Sequence, residues 1–234
     1  MFDTLFLYVK QFLVLTWWFW AFVILLPLFR SAWLCWRQTL FKASIKWKIM
    51  EIKIPREIKK SPRAMEQVLM AIHALRNIAG DIRERWWDGE VTRWYALEMV
   101  SFGGEVRFFI RFYEKQRNLI EAAFFSYYQD IELEEVEDYT ERFPRNVAEM
   151  HEQRYDLWGT EMVLAREEAY PIKSYEDFEA IEEEQQYDPI SAFLEVLGKV
   201  KREEIVGFQI LAAPAAPDWR DRWEGLIEKL RSKK

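Results

Sequence analysis

The sequence predicts an α+β protein hung from an N-terminal transmembrane helix. Three observations carry this: an uncharged apolar run of eighteen residues near the start, later segments in which apolar residues alternate, and intervening stretches in which they recur every three or four positions. Half of the 234 residues are apolar while Gly and Pro number eight each, so neither disorder nor a loop-rich scaffold describes the chain. Cys35 is the single cysteine, which excludes an internal disulfide framework. The net charge of −6 divides into +7 over residues 1–60 and −13 over the rest, a basic neck beside an acidic body that repels bare phosphate backbones.

The run Phe12–Phe29 (FLVLTWWFWAFVILLPLF) is uncharged, and at ~1.5 Å per residue it covers most of a ~30 Å bilayer core. The expected anchor residues are Phe12, Trp17, Trp18, Trp20, Ile24 and Phe29 within residues 1–30, closed by Arg30 and followed at headgroup level by Trp33 and Trp36. A cleaved signal peptide is disfavoured by Asp3 at the start, by the length of the apolar core and by the lack of a small-x-small site. A buried soluble helix seldom carries so long an unbroken apolar run. Arg30, Arg37, Lys42, Lys46 and Lys48 follow the span and only Lys10 precedes it. The positive-inside rule then implies a single-pass protein of the inner (cytoplasmic) membrane, N-terminus outside and C-terminal domain in the cytoplasm. Residues 31–50 mix aromatic and basic side chains, the pattern of an amphipathic juxtamembrane segment or of the same helix continuing into the cytosol.

In the body, EIKIP at 51–55 alternates and stops at proline, the mark of a strand. Ser61 and Pro62 start a helix carrying Met65, Val68, Leu69, Ile72 and Leu75. After a Trp-rich loop, TRWYALEMVSF and EVRFFIRF flank Gly103-Gly104 and predict a tight hairpin. Its register sets Met99 opposite Phe108, Leu97 opposite Ile110 and Tyr95 opposite Phe112 on one face, with Val100, Arg107, Phe109 and Arg111 on the other. A helix at about 115–128 and a strand through Ile131, Leu133 and Val136 complete the order βαββαβ. That order defines a ferredoxin-like unit over residues 51–140. Residues 141–234 read as a second, partial α/β half packed on the first: a strand at GTEMVLAREE (159–168), a helix after Asp188-Pro189, a strand at IVGFQILAAP and a closing amphipathic helix from Trp219.

Catalytic patterns are missing. There is no G-x-x-x-x-G-K-[ST] loop, and His73, His151 and Cys35 are too scattered for a zinc or Cys-His site, so neither an enzyme nor a cofactor or metal is expected. Arg107, Phe109 and Arg111 resemble a base-stacking strand, which makes a nucleic-acid-binding module the alternative function. The acidic body and the lack of an aromatic in EIKIP weigh against it, and a face covered by the second half is the simpler reading. The acidic run at 176–184, with Glu176, Asp177, Glu182, Glu183 and Glu184, reads as a surface helix or as a docking surface for a basic partner.

Five stretches, SPRAMEQVLMAIHAL, RWYALEMVSFGGEVRFFIR, EAAFFSYYQDIELEEVEDY, GTEMVLAREEAYPIKSYEDFE and DPISAFLEVLGKV, together span about residues 48–232. In this order they resemble the membrane-anchored N-terminal or accessory region of type IV secretion and conjugation proteins of small-genome bacteria, associated with HerA/FtsK-superfamily ATPases. The resemblance implies an uncharacterised accessory domain whose partners are the lipid bilayer and a HerA/FtsK-type ATPase or other secretion subunits. A homo-oligomer stays open, as does whether the ATPase is a separate chain or joined to this one. The expected function is a non-enzymatic, membrane-anchored scaffold or assembly subunit of a type IV secretion-like transfer system, and no catalytic residue is carried over.

Overall fold

A continuous helix, α1 (Phe2–Ser44), opens the computed structural model, which describes residues 2–55, 62–74, 80–170, 189–215 and 218–232. Forty-three residues at ~1.5 Å each make a rod of ~65 Å, twice a bilayer core, so the helix continues well beyond the apolar run. The polar atoms inside that run are satisfied along the helix itself. The Trp20 indole N–H donates to Thr16 Oγ1 (3.1 Å), whose hydroxyl donates to the Phe12 carbonyl (2.7 Å). The stretch Val14–Ser44 is long and apolar enough to cross a membrane, and its most apolar window is wholly unburied.

The chain divides into two units, Met1–Ile45 with Asn77–Thr92, and Lys46–Arg76 with Arg93–Lys234. In the first unit a single π-helical turn, Glu84–Asp88, closes on Gly89, whose φ of +69° favours glycine. Glycine is needed there for a second reason: a Cβ would stand 2.4 Å from the Arg37 carbonyl carbon of α1. Of the two readings of residues 31–50, continuation of the apolar helix is the one the backbone follows over most of the segment. Helix persists to Ser44, and a strand begins at Trp47.

The second unit is a mixed α/β domain built on an open five-stranded sheet: β1 (Trp47–Lys53), β2 (Tyr95–Phe102), β3 (Glu105–Tyr113), β4 (Glu132–Val136) and β5 (Ile205–Ala212), in the order β4-β1-β3-β2-β5 with every neighbour antiparallel. Helices α2 (Pro62–Ala74) and α3 (Arg117–Tyr127) lie together on one face. There Val68, Ile72, Ile120, Ala123 and Phe124 pack on Met50, Ile52, Ile110 and Phe112. Phe112 and Ile110 are fully buried, which fixes the side of the hairpin that must face inward. The hairpin register agrees with the alternation, with Met99 opposite Phe108 and Leu97 opposite Ile110. Gly103 (φ +61°) makes the turn and leaves no room for a Cβ against the Arg202 backbone.

Two expectations are corrected. The first strand starts at Trp47 rather than Glu51, because Ile49 and Met50 are already buried between β3 and β4. GTEMVLAREE forms no strand: Met162, Val163 and Leu164 are exposed, and the segment pairs with neither edge of the sheet. Three short elements were not anticipated: the π turn, a 3-10 turn at Tyr139–Arg142, and α4 (Val147–Glu152), whose N-cap Asn146 accepts from the Glu149 N–H while Glu149 reaches back to Asn146 and Arg145. From the C-terminal half, α5 (Pro189–Gly198) and β5 join the same sheet: Ser101 Oγ donates to the Leu197 carbonyl (2.7 Å), and Phe193 meets Phe208 edge-on at 5.3 Å. The closing helix α6 spans Trp219–Arg231.

Candidate functional site

The face of the sheet away from α2 and α3 gathers charged side chains around one buried carboxylate. Alternation along β2 puts Glu98 on this face, opposite Phe109 and diagonal to Arg111. Glu98 is only 3% exposed and accepts three hydrogen bonds: Arg111 Nε at 2.9 Å, Gln209 Nε2 at 2.8 Å and the Tyr139 hydroxyl at 2.8 Å. The remaining fork of Arg111 grips Asp138 through two bonds of 2.6 and 3.1 Å, and Asp138 also accepts from the N–H and hydroxyl of Thr140.

These partners set the protonation states. The Arg111 hydrogen bond is the main influence holding the Asp138 carboxyl at about 2; burial opposes it and the Thr140 bonds add to it. Burial, then the bond to Glu98, pushes the Tyr139 phenol well above its ordinary value. For Arg111, burial favours losing the proton, but the bonds to Asp138 and Glu98 outweigh it and the pKa rises. Asp138, Tyr139 and Arg111 are each thus held in their ordinary charge state at neutral pH, which suits a structural tie.

Of the residues singled out for base stacking, Arg107 is partly exposed, lies over the Phe102 ring and pairs with Glu105 at 2.9 Å and Glu51 at 3.9 Å. Phe109 is 4% exposed, enclosed by Phe102 and by Tyr139 at 5.3 Å between ring centres. Arg111 is committed to the network just described. The three share a face, as alternation requires, yet none presents an open ring or an unpaired cation. The cover comes from the 3-10 turn that follows β4. Beside it a groove lined by Glu51, Lys53, Glu105, Arg107 and Glu134 carries mixed charge, with Lys53 paired to Glu134. The acidic docking residues Glu176, Asp177, Glu182, Glu183 and Glu184 lie outside the described residues.

The anchor residues Phe12, Trp17, Trp18, Trp20, Ile24, Phe29, Arg30 and Trp36 are exposed along α1, while Trp33 is half-buried. What covers Trp33 is the π turn. Its indole N–H donates to the Trp86 carbonyl at 2.8 Å and its ring lies 5.8 Å from that of Trp87, while the Arg30 guanidinium sits 4.9 Å over the Trp86 ring. Sequence reasoning missed this arrangement and the Glu98 network. The paired tryptophans were the only available signal for the first; the hairpin register already placed Glu98 beside Arg111 for the second.

A family model described as a domain of unknown function, DUF8128, matches residues 37–234, most of the chain. The chain belongs to the DUF8128 family. The DUF8128 match begins at Arg37, inside α1 and just past the apolar run, and takes in the whole sheet. No curated protein and no solved structure matches the chain. Among the described residues no group of His, Cys, Asp and Glu side chains is arranged to hold a metal ion.

Proposed function

We propose that this DUF8128 protein is a non-enzymatic, membrane-anchored scaffold: α1 crosses the inner membrane once, and the α/β domain docks sister subunits or an ATPase of the HerA/FtsK type at the cytoplasmic face of a type IV secretion-like transfer system. The observation that carries this reading is the coexistence of two exposed apolar surfaces on one chain. The first is the bare apolar helix. The second is on the domain, where the edge strand β5 exposes Ile205, Val206, Ile210 and Leu211 and the segment 157–164 exposes Leu157, Trp158, Met162, Val163 and Leu164. Among the described residues no strand pairs with the outer side of β5, and an edge strand bearing aliphatic side chains is a template for a partner's strand, a surface soluble monomers seldom leave open. The transfer system and the ATPase rest on the resemblance of the five sequence stretches.

The basic residues after the apolar run support the orientation. We also infer that β1 to β4 with α2 and α3 are a ferredoxin-like unit. Its support is the order β4-β1-β3-β2, all antiparallel, with both helices on one face; β5 then extends the sheet beyond β2. The enclosure of Phe109 and the pairing of both arginines argue against single-strand binding on the hairpin face.

Affinity purification of the full chain from its native membrane in mild detergent tests the scaffold. Stoichiometric co-purification of a motor ATPase or another secretion subunit is the expected result, lost on Val206→Glu with Leu211→Glu. Recovery of the chain alone, from membranes shown to contain those subunits, removes the proposal.

A further inference from the structure

The groove between α1 and the turn that follows Gly80 has a chemistry the anchor alone does not need. It is open, about 880 Å3 in volume, and lined by Phe29, Arg30 and Trp33 of α1 and by Asp81, Ile82, Arg83, Trp86 and Trp87 of the turn. That volume lies within the ~300–1,000 Å3 range of small-ligand sites. Its walls are almost entirely apolar, and Ile82 and Trp87 remain 76% and 64% exposed at its rim. Two cations stand on the same groove. Among the described residues neither Arg30 nor Arg83 forms an ion pair, and the guanidinium of Arg30 lies 4.9 Å from the centre of the Trp86 ring. Two helical turns further along α1, the Nε of Arg37 is enclosed with no hydrogen-bond partner among the described residues.

The nearest carboxylates, Asp81 and Glu84, keep their charge but are oriented by backbone N–H groups of the turn itself and form no ion pair with either arginine among the described residues. Asp81 accepts the Ile82 N–H at 2.6 Å, and Glu84 accepts the Gly80 N–H at 2.7 Å. Depth decides the occupant. Phe29 ends the uncharged run and Arg30 begins the basic neck, so a turn clasping α1 at Phe29–Trp33 is held at the level where hydrocarbon gives way to headgroups. Indole rings beside arginines at that level match a molecule that is oily at one end and anionic at the other.

We propose that this groove seats an anionic phospholipid of the cytoplasmic leaflet, its phosphate between Arg30 and Arg83 and its acyl chain along Phe29, Trp33, Ile82 and Trp87. The proposal rests on the membrane-anchor reading and adds a specific lipid site to it. The π turn then acts as a second membrane foot beside the span, and α1 with this foot resists rotation about the helix axis better than a helix by itself.

The test uses the full chain reconstituted into nanodiscs of phosphatidylcholine with a minor fraction of phosphatidylglycerol, and native mass spectrometry of the lipids retained on release. Alkaline carbonate extraction of native membranes is run first and on its own. If carbonate releases the protein, the anchor reading fails and the lipid site falls with it. If the chain is integral, the expected result is enrichment of phosphatidylglycerol over the bulk composition, reduced about fivefold by Arg83→Gln and preserved by Arg83→Lys, from the contribution of one basic residue at an anionic surface. Arg83 lies outside the helix, so its replacement leaves the charge flanking the span unchanged. Trp87→Ala should in parallel reduce quenching of tryptophan fluorescence by lipids brominated near the headgroup. An integral protein whose retained lipids mirror the bulk, or whose enrichment is the same with glutamine at position 83, overturns the proposal and leaves the anchor standing.

Discussion

Replacing Arg111 by methionine keeps most of the side-chain volume and removes the cation that ties β3 to β2 and to the turn after β4. Glu98, only 3% exposed, retains Tyr139 and Gln209 as donors but loses its counter-charge, and Asp138 retains only Thr140. Removing one partner of a buried pair costs ~3–5 kcal/mol, chiefly because the other charge stays behind in low dielectric. The Arg111 side chain is 19% exposed, so some water reaches the site and the low end, about 3 kcal/mol, applies. For a chain of this size that corresponds to an apparent melting temperature lower by roughly 6–12 °C, read by near-ultraviolet circular dichroism in mild detergent. Arg111→Lys restores the charge without the fork and should fall between the two. Adding Glu98→Gln to Arg111→Met should recover part of the loss, since the stranded charge is then gone. A drop under about 2 °C for Arg111→Met, with no recovery in the double variant, would show that the network is solvated and contributes little.

Three further outcomes follow from the same structure. Asp138 has its folded pKa depressed from 3.8 to about 2, so its contribution is complete above the unfolded value and is lost as pH falls through that interval; about 2 kcal/mol should disappear, and acid titration of Asp138→Asn should lack that component. Gly89→Ala sets a Cβ against the Arg37 carbonyl at a positive φ, and should free the turn from α1, seen as faster tryptic cleavage after Arg83 and Arg85 than in the parent protein. Phe124→Ala empties a fully buried position between α3 and the sheet, costing ~3–5 kcal/mol in urea unfolding, whereas Phe125→Ala, on the exposed side of the same helix, should change stability by under about 1 kcal/mol.

Local periodicity made much of this fold legible. The alternation of β2 and β3 around Gly103-Gly104 is interpretable because successive side chains must fall on opposite faces, and Ile110 and Phe112 share the face that α2 and α3 cover. The same logic failed at 159–168, where a short apolar run stays unpaired although the sheet has open edges, and it misplaced the start of β1, whose aromatic first residue Trp47 looks like membrane-neck sequence until Trp94 is seen beside it at 4.9 Å. The site was legible only in part. Arg107, Phe109 and Arg111 were assigned to one face correctly, but whether that face is open depends on Tyr139, thirty residues away from Phe109 along the chain, folding back over it.

Taken alone, the sequence determines the bare apolar helix, its basic flank and the inward side of each amphipathic element, because these follow from the hydrophobicity of neighbouring residues and from fixed backbone periods. The partners of each polar group were decided by the tertiary structure. That Glu98 meets Gln209 across 111 positions, or that Trp33 bonds to Trp86 across 53, is set by strand order and by a glycine-enabled close approach, and no local pattern encodes either. A buried carboxylate becomes a structural tie, and a tryptophan pair becomes the wall of a groove, only when distant segments exclude water from the same place.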